Sequence, residues 1–322
     1  MKVEIAKRLM QWMPNTPSYA LAHFQQEYFR HPDFLSLNGP GKKKQIIQFV
    51  ENDFREGQYK PFDNYYPGYD FRQLFKDKTI LDLGCSIGGK SIAWAERWKV
   101  RQLVGIDINK QSVEAAKLFI AQRGGSSGVR FDFRTCASEH LPFHDGRFDA
   151  IITEDTIEHL QDIRATLLEC HRVLRKGGRM FCVFPSYRFP FGGAHLGSAA
   201  RTPFLEWLFA PTVLNEAYRQ ITSGWEDAFS WFKPEHEGKM NPSKKIRGGI
   251  GTNCILRKEF ERIVNGIGFS SIEFLSTPLL SVGNTSVRHP VVKRFSRLLK
   301  PLLKIPALAD YLSHRLVYIF KA

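Results

Sequence analysis

The chain has 322 residues, enough to bury one large core or two modest ones. Lysines and arginines number 46 against 32 acids, a balance of +14 that favours nucleic acid, an anionic membrane or an acidic substrate and does not bear on fold. No run of about 18 apolar residues occurs, so a membrane-spanning helix is not expected. The opening MKVEIAKRLMQWMP lacks the long apolar core of a secretory signal. Cys85, Cys136, Cys170, Cys182 and Cys254 are scattered without a CxxC pair, so they read as reduced core thiols in a cytoplasmic protein.

In chain order, 5–13 and 19–29 carry helical apolar spacing, interrupted by Pro14, Pro17 and Pro32. Gly41-Lys42-Lys43-Lys44 opens a further helix over 45–54, and its lysines read as a solvated start. An aromatic stretch, KPFDNYYPGYDF, follows. From Thr79 onward strands and helices alternate. Strands are expected at 79–83, 103–107, 130–134, 149–153 and 179–184, with helices at 90–98, 111–122 and 161–174. Apolar strands with short connections predict a parallel sheet covered on both faces, with ligands beyond the strand C-termini. The stretch 185–251 is too long for a connector and holds aromatic helical segments near 204–209 and 225–232. A helix at 253–267 and strands at 269–275 and 315–320 close the pattern. Between those strands lies a second insertion, 278–313. Its positions Val291, Val292, Phe295, Leu298, Leu299, Leu302 and Leu303 recur at helical spacing among Arg288, Lys293, Arg294, Arg297, Lys300 and Lys304.

The stretch 79–90, TILDLGCSIGGK, organises the rest. Strand, glycine turn and helix together let backbone approach a nucleotide-like ligand at a helix N-terminus. Asp82 within it suits a cationic or amine-bearing ligand better than a pyrophosphate. Asp107 ends the next strand about 20 residues on, where an acid can accept from both hydroxyls of a ribose. A dinucleotide site would read GxGxxG, whereas here the turn is Asp82-x-Gly84-x-x-x-Gly88. That turn resembles motif I of the class I S-adenosylmethionine-dependent methyltransferases. Downstream come Leu141-Pro142-Phe143, Phe148-Asp149, Glu158-His159-Leu160 and Arg172-Val173-Leu174-Arg175-Lys176-Gly177-Gly178. This ordered set resembles the methyltransferases that act on small molecules, over about residues 78–185. The resemblance implies an α/β fold: a Rossmann-like, seven-stranded, mostly parallel sheet with helices on both faces. It implies a helical cap or lid over 1–76, in which Tyr65, Tyr66 and Tyr69 either line the cofactor pocket or pack the segment on the sheet. The cofactor-binding core would span 77–184, the substrate-recognition insertion 185–251, and the completion of the sheet, with its basic helical insertion, 252–322.

The same resemblance implies the site. Asp82 would meet the amino end of S-adenosylmethionine, Gly84 and Gly88 would pass beneath its methionine portion, Asp107 would hold the ribose, and Glu154 would stand beside the cofactor. Ala137 occupies the place where relatives often have an aspartate for adenine, so Ser138 or Glu139 is a candidate substitute. An alcohol acceptor needs a base or a Lewis acid. Asp155, Glu158 and His159, on one helical turn, resemble the ExxEH of ubiquinone-pathway O-methyltransferases and small-RNA 3′-end methyltransferases. There the set holds a divalent metal; here Mg²⁺ would take Asp155, Glu158, His159 and His195. Two other readings stand beside it, His159 as a base without metal and His159 as a structural cap. The expected function is methyl transfer to an oxygen of a small-molecule, glycan or lipid-linked acceptor. The alternatives are an RNA or protein methyltransferase, a C-methyltransferase on a lipid or quinone, and a non-catalytic binder of the cofactor. The basic helix at 288–304 is expected either to touch an anionic membrane peripherally or to pack on the chain's own insertion.

Overall fold

The computed structural model describes residues 1–13, 40–124, 128–190, 200, 202–222, 252–279 and 290–322. Thr79–Leu83 (β1) is buried along its whole length, as its near-continuous apolar run requires of a central strand. Alternate side chains leave it on opposite faces. Ile80 enters one core cluster, while Leu81 and Leu83 enter another. The other strands are Gln102–Asp107 (β2), Arg130–Thr135 (β3), Phe148–Glu154 (β4), Leu174–Pro185 (β5), Ser271–Phe274 (β6) and Arg315–Lys321 (β7). Their order is β3-β2-β1-β4-β5-β7-β6. The first five run parallel, and β7 lies antiparallel between β5 and β6. This is the seven-stranded sheet expected from the sequence. β5 begins earlier than expected, because Leu174 pairs with Phe148 before Gly177 turns the chain at φ +76°.

The helices are Lys2–Trp12 (α1), Pro40–Tyr59 (α2), Phe71–Phe75 (α3), Gly89–Trp98 (α4), Lys110–Arg123 (α5), Ile163–Val173 (α6), Leu205–Leu208 (α7), Pro211–Thr222 (α8), Arg257–Asn265 (α9), Pro290–Leu299 (α10) and Pro306–Leu312 (α11). The first core cluster takes residues of α2, α3, α4 and α5 against one face of the sheet; the second takes residues of α6 and α9 against the other. α1 joins neither. Its Ala6 and Met10 pack with Leu205, Leu214, Ala217 and Tyr218 in a satellite cluster, and Thr202 Oγ1 donates to the Leu9 carbonyl at 2.6 Å. The helices expected over 19–29 and 225–232 lie outside the described residues.

Of the three tyrosines proposed for a lid, two are absorbed by packing. Tyr66 is wholly buried among Phe62, Phe71 and Phe181. Tyr69 donates to Glu273 Oε2 at 2.6 Å, on β6. Tyr65 alone of the three turns toward the end of β4, where its hydroxyl meets Glu154.

Candidate active site

The glycine turn after β1 is held by the next strand. The N–H groups of Gly84 and Cys85 both donate to the Ile106 carbonyl at 2.9 Å. Ser86, at φ +50°, donates its N–H to Asp107 Oδ2 at 2.9 Å, and Asn109 N–H donates to Asp107 Oδ1 at 2.8 Å. Asp107 Oδ2 therefore braces the glycine turn and Oδ1 the start of α5, and each oxygen keeps a lone pair for a ligand hydroxyl. Gly84 stands at φ +80°, and a Cβ there would meet Thr156 Oγ1 at 2.2 Å. Gly88, at φ +74°, would meet the Ala116 Cβ at 2.7 Å. The turn thus needs glycine both for its backbone and for its approach to the loop after β4. Gly84→Ala is expected to lower stability by about 1–3 kcal/mol or more. Thermal unfolding of Gly84→Ala, Thr156→Ala and the double variant checks this: removing the Thr156 side chain should make the double loss smaller than the sum.

Three carboxylates stand at the C-terminal ends of adjacent strands: Asp107 on β2, Asp82 on β1 and Glu154 on β4. Asp82 is buried and accepts from Ser91 Oγ at 2.5 Å. Burial pushes its pKa up to about 7; the Ser91 bond opposes this, and Glu154, Asp107 and Asp53 add to it. The cation inside this group is Lys90, in the first turn of α4. It lies 3.5 Å from Glu154 and 3.8 Å from Glu56, and its N–H donates to Asp53 Oδ2 at 2.9 Å. Burial alone would lower the Lys90 pKa, but Glu154, Asp53 and Glu56 hold it above the usual lysine range. Burial, with Glu154 beside it, pushes the Tyr65 hydroxyl up to about 12, so it stays protonated and donates. Ser138 is drawn the other way. Its hydroxyl lies 2.8 Å from Thr166 Oγ1 on α6 and donates to Glu139 Oε2 at 3.3 Å, so it serves the docking of its loop on α6.

The segment after β4 departs from expectation. Asp155 does not share a helical face with Glu158 and His159. It lies at φ +52°, outside the 3-10 turn Ile157–His159, and pairs with Arg315 at the start of β7. Glu158 is buried at 2% exposure. Burial pushes its pKa up to about 8, against its own backbone N–H and with Glu154 adding to the rise. His159 is half-exposed, with Nε2 4.0 Å from Glu158 Oε1. Among the described residues, no three histidines, cysteines or acids converge in a way that could hold a metal ion, and His195 lies outside them. Among the described residues the donor set read from the ExxEH pattern is therefore not assembled: Asp155 is committed to a guanidinium and Glu158 is buried.

Sequence reasoning missed the residues that hold this segment in place. Asn253 Nδ2 donates to the carbonyls of Ile157 and Leu160 at 2.7 and 2.9 Å, and its N–H to that of Glu158 at 2.6 Å, clamping the 3-10 turn. Arg315, which pairs with Asp155, likewise comes from far along the chain. Lys90 alone carried a local signal, a lysine directly after Gly88-Gly89 at a helix start.

Residues 81–182 match the family model described as "Methyltransferase domain". A ubiquinone biosynthesis O-methyltransferase of Pseudomonas paraeruginosa is 31% identical over 132 residues, 39% of this chain and 54% of that protein. One from Chromobacterium violaceum is 27% identical over 212 residues, 63% of this chain and 82% of that protein. An ajmaline N-methyltransferase of Rauvolfia serpentina is 33% identical over 113 residues, 35% of this chain and 38% of that protein. The chain thus spans about half the length of the Pseudomonas relative it matches. The matched stretch runs from β1 into β5 and contains the glycine turn, Asp82, Asp107 and the segment after β4. By these matches residues 81–182 are similar to a methyltransferase domain, and they lie within the seven-stranded sheet.

Proposed function

We propose that this chain transfers the methyl group of S-adenosylmethionine to an oxygen of a small-molecule, glycan or lipid-linked acceptor. The observation that carries the reading is the trio Asp82, Asp107 and Glu154 on adjacent strand ends, close enough for Asp107 and Glu154 to raise the Asp82 pKa. Such a cradle suits a ligand that brings an ammonium and a sulfonium together with a ribose diol. Asp82 and Glu154 face the cationic end, Asp107 the diol, and Lys90 the carboxylate. In the reaction the acceptor oxygen attacks the methyl carbon in line with sulfur. The O–CH₃ bond forms as the S–CH₃ bond breaks, sulfur keeps the electron pair, and the acceptor proton passes to His159. Positioning supplies most of the rate. Glu158, neutral at pH 7, lies behind His159 and ionises more readily once that ring is charged. The relatives named as O-methyltransferases support oxygen as the acceptor atom.

Asp82 gives the reading a pH signature. Its folded pKa is raised above the ordinary carboxylate value, so ionising it costs the unliganded fold stability that is lost as pH rises through about 7. A bound ammonium relieves that cost. S-adenosylmethionine affinity should therefore increase about tenfold between pH 6 and pH 8, and Asp82→Asn should flatten the dependence. Titration calorimetry across this range checks both. The acceptor class is tested by incubating the protein with methyl-labelled S-adenosylmethionine and fractionated lysate. Label in metabolite, glycan or lipid fractions supports the proposal, whereas label confined to RNA or protein overturns it.

A further inference from the structure

The segment from α10 to α11 has an inner side, an apolar outer side and a basic edge, and the methyltransferase chemistry uses none of them. Ser296, Leu303 and Ala309 are buried and fix the segment to the protein. Arg257 reinforces this: its guanidinium bonds the Leu303 carbonyl, and its N–H donates to Asp310 Oδ1 at 2.9 Å. On the outer side, Phe295, Leu298, Leu302 and Ile305 stand 52%, 71%, 39% and 51% exposed. Their spacing of three, four and three residues keeps them on one side of α10 and of the 3-10 turn Lys300–Lys304 that continues it. Arg294, Arg297, Lys300 and Lys304 are exposed alongside them. No acid occurs between Pro290 and Ala309, and no carboxylate lies within ion-pair distance of these four cations among the described residues. Of the stripe read from the sequence, Leu303 is buried. One side is inside, and four large apolar side chains face water beside four cations.

We propose that this face docks on an anionic phospholipid bilayer. Apolar side chains beside a cationic edge, on a helix lying flat on its own domain, match the two demands of a charged membrane surface: acyl contact below and phosphate contact beside it. Neither rival occupant fits as well. A second copy brought face to face would place eight cations against one another, and a nucleic acid backbone would leave the apolar stripe in water. The face also lies at the acceptor end of the sheet. α11 runs through Ser313 and His314 into Arg315, which pairs with Asp155 and stands opposite Pro185 at the end of β5. A docked protein would hold that end close to the lipid surface. The proposal does not depend on the methyltransferase reading, since it concerns residues outside the matched domain.

Sedimentation of the full chain with vesicles tests it. Vesicles of phosphatidylcholine alone are compared with vesicles containing phosphatidylglycerol, at about 50 and about 300 mM salt. Binding is expected to the anionic vesicles only, and to weaken at the higher salt. Arg294→Glu/Arg297→Glu/Lys300→Glu/Lys304→Glu should reduce the partition about tenfold or more. Phe295→Ser/Leu298→Ser/Leu302→Ser should reduce it to a similar degree. Unchanged thermal unfolding shows that both variants, exposed at every altered position, are folded. Absence of binding at low salt overturns the proposal. So does undiminished binding by the serine variant, which would leave only diffuse charge attraction, or a concentration-dependent dimer that the serine variant abolishes while vesicles go unbound.

Discussion

Asp107→Ala is expected to weaken S-adenosylmethionine binding by about tenfold or more, because a charge-assisted hydrogen bond contributes roughly 1.5–3 kcal/mol and this carboxylate offers two. The variant loses more than ligand contacts. Ser86 and Asn109 both donate to the same carboxylate, so the glycine turn loses its brace from β2 as well. Asp107→Asn separates the two effects: its single amide oxygen can still brace Ser86 or Asn109, but it lacks the charge that strengthens bonds from a diol. If the ribose assignment holds, both variants lose affinity, while only alanine markedly lowers the unfolding temperature. Calorimetry and a thermal melt on the two proteins decide. Unchanged affinity in both variants removes Asp107 from the cofactor site.

His159→Ala is expected to cut turnover by about 10²–10⁴-fold while leaving cofactor affinity unchanged, which is the range for loss of a positioned base. His159 sits beyond the end of β4 on the 3-10 turn, with Nε2 4.0 Å from Glu158 Oε1. The split between turnover and binding is the informative part. A residue that merely caps the turn would lower stability and would lower both quantities together. With the acceptor fraction found by labelling, rates for wild type and variant across pH complete the test. Undiminished turnover would take the proton-acceptor role away from His159. Glu158 behind it, buried and raised to about 8, gives the profile a second inflection above neutrality, which Glu158→Gln should abolish.

The sheet was legible because its strands are written as apolar runs with acids at their ends. β1 was read with its observed bounds, and β2, β3, β4 and β7 to within a residue at each end. Asp82 and Asp107 were legible for a related reason, since residues at strand C-termini in a parallel sheet converge at one edge. The segment after β4 was not. Its spacing suggested a single helical face, but Asp155 takes a left-handed conformation and meets Arg315, a partner supplied by the last strand. No local pattern encodes that contact, nor the approach of Tyr65 to Glu154 or of Asn253 to the 3-10 turn. These are products of topology: β7 returns antiparallel beside β5, bringing distant sequence to the C-terminal ends of the parallel strands. The burial of Glu158 escaped for the same reason, because a charged residue next to a histidine reads as surface until the packing around it is known.

The satellite cluster between α1 and α8 bears on how such a protein can be re-engineered or diversify. Ala6 and Met10 close over Leu214, Ala217 and Tyr218, far along the chain from them, and Leu9 accepts from Thr202. The opening helix and the segment after β5 are therefore one packed unit, although strands β1 to β5 separate them in sequence. A chimera that grafts residues 200–222 onto another sheet without Lys2–Trp12 would leave an apolar helix face uncovered. Recombination at residues 200–222 is thereby restricted to partners that carry a matching first helix, so these two distant segments must change in step.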